Sequence, residues 1–383
     1  MPNQQDKGYP TAAALEFIGE RNQPLSPKEL VARRPILGNG RVPETLLALN
    51  KRHSIFLSAD AKAKPDVAIQ WSEQPPGWRI DVALNETQQI GVIPGRTAAR
   101  ETSEVFLREI DRKVGFTGYR PEWMDQLFIP RLLPGQGRHR MRRMNGRPVN
   151  PLYVFGADER GVFQDSSYPW GCIGRVFNNE GLSGTGALVG KNLVVTAGHL
   201  VPWASAAAGS WWMRFVPAYF DGVSLHGNNV ESYVSDTRGY NTSGDVAGYD
   251  WAILKLYNPL GDSLGHFGYT GYSDDWEDNP FWAVVGYPGA VAGAQRPSWQ
   301  GGVSVFDDDS DSNGGLELET QADMTPGNSG GPMFAYWGGD PRIVGVVSGE
   351  EEDYIFGSSN ERGNVVAGGS GFTNLVQWGR TNW

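Results

Sequence analysis

From about residue 151 onward the chain is written as short β-type runs separated by turn residues. The runs are Gly186–Gly190, Asn192–Thr196, Trp251–Leu256, Phe281–Gly286, Gly331–Phe334 and Ile343–Val347. Regular short strands with Gly-rich turns predict an antiparallel sandwich or barrel. The 51 glycines and 25 prolines favour tight turns over a helical bundle. Phe372–Trp378 closes the chain as a helix with one apolar face. At 383 residues the protein exceeds one ordinary core and has material for two or three compact units.

The first part of the chain has a different texture. Residues 1–130 carry no chemical motif, and the spacing of Phe106, Leu107 and Ile110 predicts a packing helix over 98–114. Residues 131–153 are rich in Gly and Arg and predict an exposed linker. Two readings of it stand side by side: a solvated basic loop, or a processing region between a propeptide and an enzyme at 154–383. Charge divides at the same place. Residues 1–153 hold 23 Lys/Arg against 16 Asp/Glu, a balance of +7, and residues 154–383 hold 10 against 27, a balance of −17. The two parts can attract one another, whereas the acidic part would repel phosphates, which argues against a nucleic-acid partner. No stretch approaches the roughly 20 apolar residues of a membrane span. Met1–Glu20 lacks the basic-then-apolar pattern of a secretory signal, so either a signal has been removed or that export route is not used. Cys172 is the single cysteine, which excludes an intrachain disulfide.

Three segments carry chemistry. Thr325-Pro-Gly-Asn-Ser-Gly-Gly-Pro332 sets Ser329 among glycines, where backbone N–H groups can approach a developing oxyanion. It also satisfies the G-x-S-x-G elbow of α/β-hydrolases. Those enzymes place their His after the Ser, and none of the five histidines (His53, His139, His199, His226, His266) follows Ser329. Leu193-Val-Val-Thr-Ala-Gly-His-Leu200 ends an apolar strand in small residues and His199, which lets the imidazole lie against a neighbouring element. His226 and His266 lack this setting and read as surface or loop residues. Gly248-Tyr-Asp-Trp-Ala-Ile-Leu-Lys-Leu256 puts Asp250 at the head of a buried-looking strand, a costly place for a carboxylate without hydrogen bonds. Each segment has a bland reading: a Gly-rich turn, a structural His, a capping Asp. Together they run in the order His, Asp, Ser, with gaps of 51 and 79 residues that suit two barrels in series.

From about Val154 to Trp383 the chain resembles the trypsin-like serine proteases and, within them, the V8-like glutamyl endopeptidase group. The matching pieces are Val154-Phe-Gly-Ala-Asp-Glu-Arg160, Thr196-Ala-Gly-His199, Tyr249-Asp-Trp-Ala-Ile-Leu-Lys255 and Gly327-Asn-Ser-Gly-Gly-Pro332. The resemblance implies an all-β fold of two six-stranded antiparallel barrels with a C-terminal helix, the first to about 258 and the second from about 265, with the active site between them. It implies that the α+β or irregular region before Val154 acts as a propeptide, inhibiting or assisting folding, and that the enzyme is secreted and cuts protein or peptide substrates. Ser329 would be the nucleophile, His199 the general base and Asp250 its orienting partner, with an oxyanion hole at Gly327 and Ser329 and no need of a cofactor or metal.

Departures from the family shape the specificity. Asn328 stands where trypsin-like zymogens carry an Asp that pairs with the freed amino terminus. The strand Gly345–Asp353 lacks the His that helps glutamyl enzymes bind a substrate carboxylate. Asp323 occupies the position of the trypsin specificity Asp, and Ser348, Gly349 and Glu350 fall on the expected pocket wall with Glu351 and Glu352. A carboxylate-lined cleft favours Arg or Lys before the cut, and the Arg138–Arg147 cluster would then be a self-processing site. Asp309–Gly314 matches the first half of an EF-hand loop but has Thr320 at its twelfth position, and reads as a solvated acidic loop with Ca²⁺ as the lesser alternative. Trp211 and Trp212 are expected on opposite faces of a strand, and Cys172 as a small apolar core group. The competing reading is a catalytically silent binding protein on a protease fold, with a cytosolic setting as the alternative to export.

Overall fold

The computed structural model describes residues 23–50, 116–134, 154–208, 211–242, 246–353 and 361–383. It also gives the backbone of the strands Arg52–Ser58, Gln70–Glu73, Pro76–Ala83, Arg100–Glu101, Arg143–Met144 and Arg147–Pro148.

Six strands form the first layer: β1 Ile173–Asn178, β2 Ser183–Gly190, β3 Leu193–Thr196, β4 Met213–Pro217, β5 Ser232–Gly239 and β6 Ala252–Leu256. Their ladder runs β4-β1-β2-β3-β6-β5, and β5 returns to β4 with Arg214 opposite Tyr233, which closes a barrel. The residues of β3 and nearly all of β2 and β6 are buried on both faces. One face fills the barrel and the other is covered, in part by the C-terminal helix Gly369–Asn382, whose Gly379 lies against Leu193 and Ile253. Each fully buried Val or Leu here contributes about 1.5–3 kcal/mol of transfer free energy.

The second layer holds β7 Trp282–Gly286, β8 Ser298–Val303, β9 Val305–Ser310, β10 Leu316–Thr320, β11 Pro332–Trp337, β12 Asp340–Asp353 and β13 Glu361–Gly368. Its ladder runs β9-β10-β13-β12-β11-β7-β8, with Gly161–Val162 added to β8 and Gly268–Tyr269 to β12. A second closed barrel was expected; no ladder of hydrogen bonds closes this sheet among the described residues. Its two ends nevertheless come from one stretch of chain, because β8 and β9 are separated by Ser304 alone.

Residues 23–50 and 116–134 pack onto this body. Leu25, Leu46, Leu49, Met124 and Phe128 belong to the same buried cluster as the first barrel. Trp123 Nε1 donates to Ser263 O at 2.7 Å, Trp170 Nε1 to Leu127 O at 2.9 Å, and Gly118 N to Asp340 Oδ1 at 2.8 Å. The start of the expected linker is also tied down: Leu133 N donates to Val162 O and Gln164 N to Arg131 O. Of the helix expected over 98–114, Arg100–Glu101 instead form a short strand parallel to β5, and 102–115 lie outside the described residues. Trp211 and Trp212 precede β4 rather than lying in a strand, and both are buried.

Candidate active site

His199 sits in the single turn Gly198–Leu200 that follows β3, and Asp250 lies two residues before β6, which pairs with β3. The ladder therefore brings together two residues 51 apart in sequence. His199 Nδ1 lies 2.7 Å from Asp250 Oδ2, and since an ionised carboxylate only accepts, Nδ1 carries the proton. The His199 backbone N–H donates to Asp250 Oδ1 at 2.8 Å, Thr242 Oγ1 to Oδ1 at 3.0 Å, and Ser348 Oγ to Oδ2 at 2.7 Å. Asp250 is fully buried while the His199 side chain keeps 22% exposure, so the imidazole has an open edge and the carboxylate has none. Gly198 has to be small: a Cβ there would lie 2.6 Å from Tyr240 O and 3.0 Å from Asp250 Oδ1.

These contacts set the charges. Burial raises the Asp250 pKa, but the hydrogen bond and charge of His199, with the bond from Ser348, outweigh it and hold the carboxyl below its ordinary value. Burial likewise lowers the His199 pKa, and the hydrogen bond to and charge of Asp250 carry it above its ordinary value. His226 and His266 sit in loops, half-buried, and burial pushes their imidazoles down to about 4 and about 3.

Ser329 lies half-buried in the turn before β11. Gly327 has φ +105° and Gly330 φ +77°, conformations that favour glycine. The turn is fastened through its backbone. Thr185 N donates to Ser329 O, Gly330 N to Val347 O, and Val347 N to Gly331 O, at 2.8, 2.8 and 2.9 Å. Thr185 Oγ1 adds a bond to Gly327 O at 2.8 Å. A Cβ on Gly330 would meet Thr185 O and Thr196 Oγ1, each at 2.3 Å, so the turn is seated directly against β2 and the end of β3. Among the described residues the N–H groups of Gly327 and Ser329 donate to no protein acceptor, and no hydrogen bond joins Ser329 Oγ to His199. The Ser329 turn thus offers a hydroxyl and two free backbone donors.

The residues expected to bind substrate fall differently. Asp323 is buried, with both carboxylate oxygens occupied: Oδ1 accepts from Phe155 N at 2.8 Å and Oδ2 from Glu159 N at 2.7 Å. These two bonds fasten the chain after the linker. Ser348 spends its hydroxyl on Asp250, and buried Gly349 abuts Val246. Glu350 is half-buried on β12, and the side chains of Glu351 and Glu352 lie outside the described residues. Thr320 donates to Ser304 O, and Asp309–Gly314 belongs to the β9–β10 hairpin, with Asp311 accepting from Gly248 N. Among the described residues no group of three His, Cys, Asp or Glu is placed to hold a metal. Thr242, Thr185 and Arg160 were missed. Thr185 reaches Gly327 across 142 residues and leaves no local signal, Thr242 lies eight residues before Asp250 with no motif to mark it, and Arg160 ends the quoted Asp158-Glu-Arg motif.

A sequence model of the trypsin family matches residues 160–378, more than half of the chain. A glutamyl endopeptidase of Bacillus licheniformis is 27% identical over 243 residues, 60% of this chain and 70% of that protein. Among solved structures, a Glu endopeptidase in complex with MPD is 22% identical, with a TM-score of 0.45, over 60% of this chain and all of the other. A thermostable serine protease, AL20, from an extremophilic microorganism is 21% identical, with a TM-score of 0.40, over 56% and 99%.

Proposed function

The chain belongs to the trypsin family, and from that premise we propose that it is a serine endopeptidase using Ser329, His199 and Asp250. The observation that carries this reading is the buried, fully solvated-by-protein Asp250 carboxylate 2.7 Å from His199 Nδ1. Ser329 Oγ attacks the scissile carbonyl as His199 Nε2 takes its proton. The carbonyl oxygen, now anionic, is met by the N–H groups of Gly327 and Ser329. As the tetrahedral species collapses, the C–N bond breaks and His199 returns the proton to the leaving amine, leaving an acyl-enzyme. Water, deprotonated by the same imidazole, then releases the acid. Asp250 keeps the tautomer and stabilises the imidazolium throughout. No step draws on a cofactor.

The enzyme is proposed to be made as an exported proenzyme processed within 131–153, with protein or peptide substrates. Among the described residues no helix is long and apolar enough to cross a membrane. A preference for basic residues before the cut is retained over Glu, now resting on the acidic β12 segment without Asp323; a peptide library cleaved solely after Glu overturns it. The deciding experiment is labelling with a fluorophosphonate probe and mapping of the modified residue, before and after nicking. Modification at Ser329 supports the mechanism, and modification that requires nicking near 131–153 supports the proenzyme. A chain that never labels favours the silent binding protein.

A further inference from the structure

We propose that Arg160, gripped by Asp158, is a positioning residue for the turn that carries Ser329; the proposal rests on the reading of Ser329 as nucleophile. Arg160 is 3% exposed, an unusual place for a guanidinium. Its Nε and Nη2 donate to the two oxygens of Asp158 at 2.9 and 2.7 Å, a forked pair that neutralises the buried charge. The remaining nitrogen points away from that pair and into the nucleophile turn. Nη1 donates to Thr325 Oγ1 at 2.8 Å and to Asn328 Oδ1 at 3.3 Å. Asn328 Oδ1 also accepts from Thr325 N at 3.2 Å, so one guanidinium fixes both ends of the turn Thr325–Asn328.

The geometric consequence concerns the two N–H groups of the proposed oxyanion hole. The Ser329 N–H belongs to the Asn328–Ser329 peptide, next to the held Asn328 side chain, and the Gly327 N–H belongs to the Pro326–Gly327 peptide, which lies between the two anchored residues Thr325 and Asn328. Gly327, at φ +105°, has the freedom to turn those peptides if the side chain is released. The segment that carries Arg160 is itself fastened, by Asp323 accepting from Phe155 and Glu159 and by Gly161–Val162 joining β8. The turn is thus aligned by a side chain of the chain that passes beneath it.

The test compares Arg160→Gln, Arg160→Lys, the double variant Asp158→Asn with Arg160→Gln, and Thr325→Val in the full chain. The readings are kcat and KM on a peptide cleaved by the wild type, the rate of fluorophosphonate labelling, the acid limb of the pH profile, and Tm. In both Gln variants kcat and the labelling rate fall by about 10²-fold, the cost of a slightly misplaced reacting group. KM and the acid limb hold, since neither the bound ground state nor the His199–Asp250 pair is touched. The double variant removes the stranded Asp158 charge, so a loss it shares with Arg160→Gln is one of alignment. Lys restores the charge without the fork and falls with Gln. An unchanged kcat in a folded Arg160→Gln protein, or full recovery with Lys, overturns the proposal. Should the Arg160 variants not fold, Thr325→Val decides: a drop of about tenfold with constant KM is expected for one lost hydrogen bond to a charged donor, and an unchanged kcat overturns it. A wild type that does not label overturns the nucleophile reading together with this one, whereas a labelled wild type beside an unaffected Arg160→Gln overturns this one alone.

Discussion

Asp250 and Ser329 are held in place by different means. The carboxylate, on the closed barrel, is surrounded by donors from four directions, three of them side chains: His199, Thr242 and Ser348. The serine, on the open sheet, is held through the backbone of its turn, with Thr185 N donating to Ser329 O, Gly330 N to Val347 O and Val347 N to Gly331 O, and with Arg160 acting one residue away. A charge in a dry interior has to have its lone pairs satisfied, so side chains converge on Asp250. The proposed nucleophile has to keep its hydroxyl and the N–H groups of Gly327 and Ser329 available, and the fold fastens other backbone groups of the turn. Substitutions on the barrel side should therefore alter protonation, and substitutions on the sheet side should alter geometry.

The largest effect should come from removing the proposed nucleophile. Ser329→Ala should lower kcat by about 10⁶-fold with little change in Tm, measured on a peptide substrate; undiminished turnover would end the assignment. Asp250→Asn should cost about 10⁴-fold, as in the worked triad, by favouring the wrong His tautomer. It should also lower the acid limb of kcat/KM, because the carboxylate that raises the His199 pKa is gone. Gly330→Ala sharpens the contrast from the other side. The new methyl would collide with Thr185 O, so kcat should drop by about 10²-fold while the acid limb stays where it is. Movement of that limb in Gly330→Ala would break the comparison.

Smaller effects test the surroundings of Asp250 further. Ser348→Ala leaves the buried carboxylate one donor short, which should cost about 1–3 kcal/mol of stability by chemical denaturation, and it should raise the Asp250 pKa. The pair also gives stability a pH signature. His199, whose folded pKa is raised, contributes fully below its unfolded value and loses that contribution as pH rises through the folded one. Asp250, whose folded pKa is lowered, contributes above its unfolded value and loses it as pH falls through the folded one. Their joint contribution is therefore greatest between the unfolded Asp and unfolded His values. In a denaturation series across pH, Asp250→Asn should flatten this window; a wild-type profile already flat there would contradict the assigned shifts.

Much of this was legible in the sequence. The strand runs at 186–190, 192–196, 251–256, 281–286, 331–334 and 343–347 each fall in an observed strand to within one residue, because alternation of apolar runs and turns is a local property. The terminal helix is as local. The small residues before His199 announced a tight approach, and Gly198 makes one against Tyr240 and Asp250. Asp323 shows what spacing leaves out. Its place relative to Ser329 fits a specificity residue, yet its partners are N–H groups 164 and 168 residues away that no spacing reveals.

By itself the sequence determined the β-rich class, the barrel strands, the family and the order of His199, Asp250 and Ser329, since each depends on patterns within a few residues. Tertiary structure alone decided which polar groups serve them. It gave Ser348 to Asp250 across 98 residues and Arg160 to the nucleophile turn across 165 and 168. It also decided that, among the described residues, the second layer joins its ends through Ser304 rather than through a ladder, and that 116–134 lies against the body of the fold. Hydrogen bonds and burial depend on where the chain returns to, and that is settled by packing the whole fold.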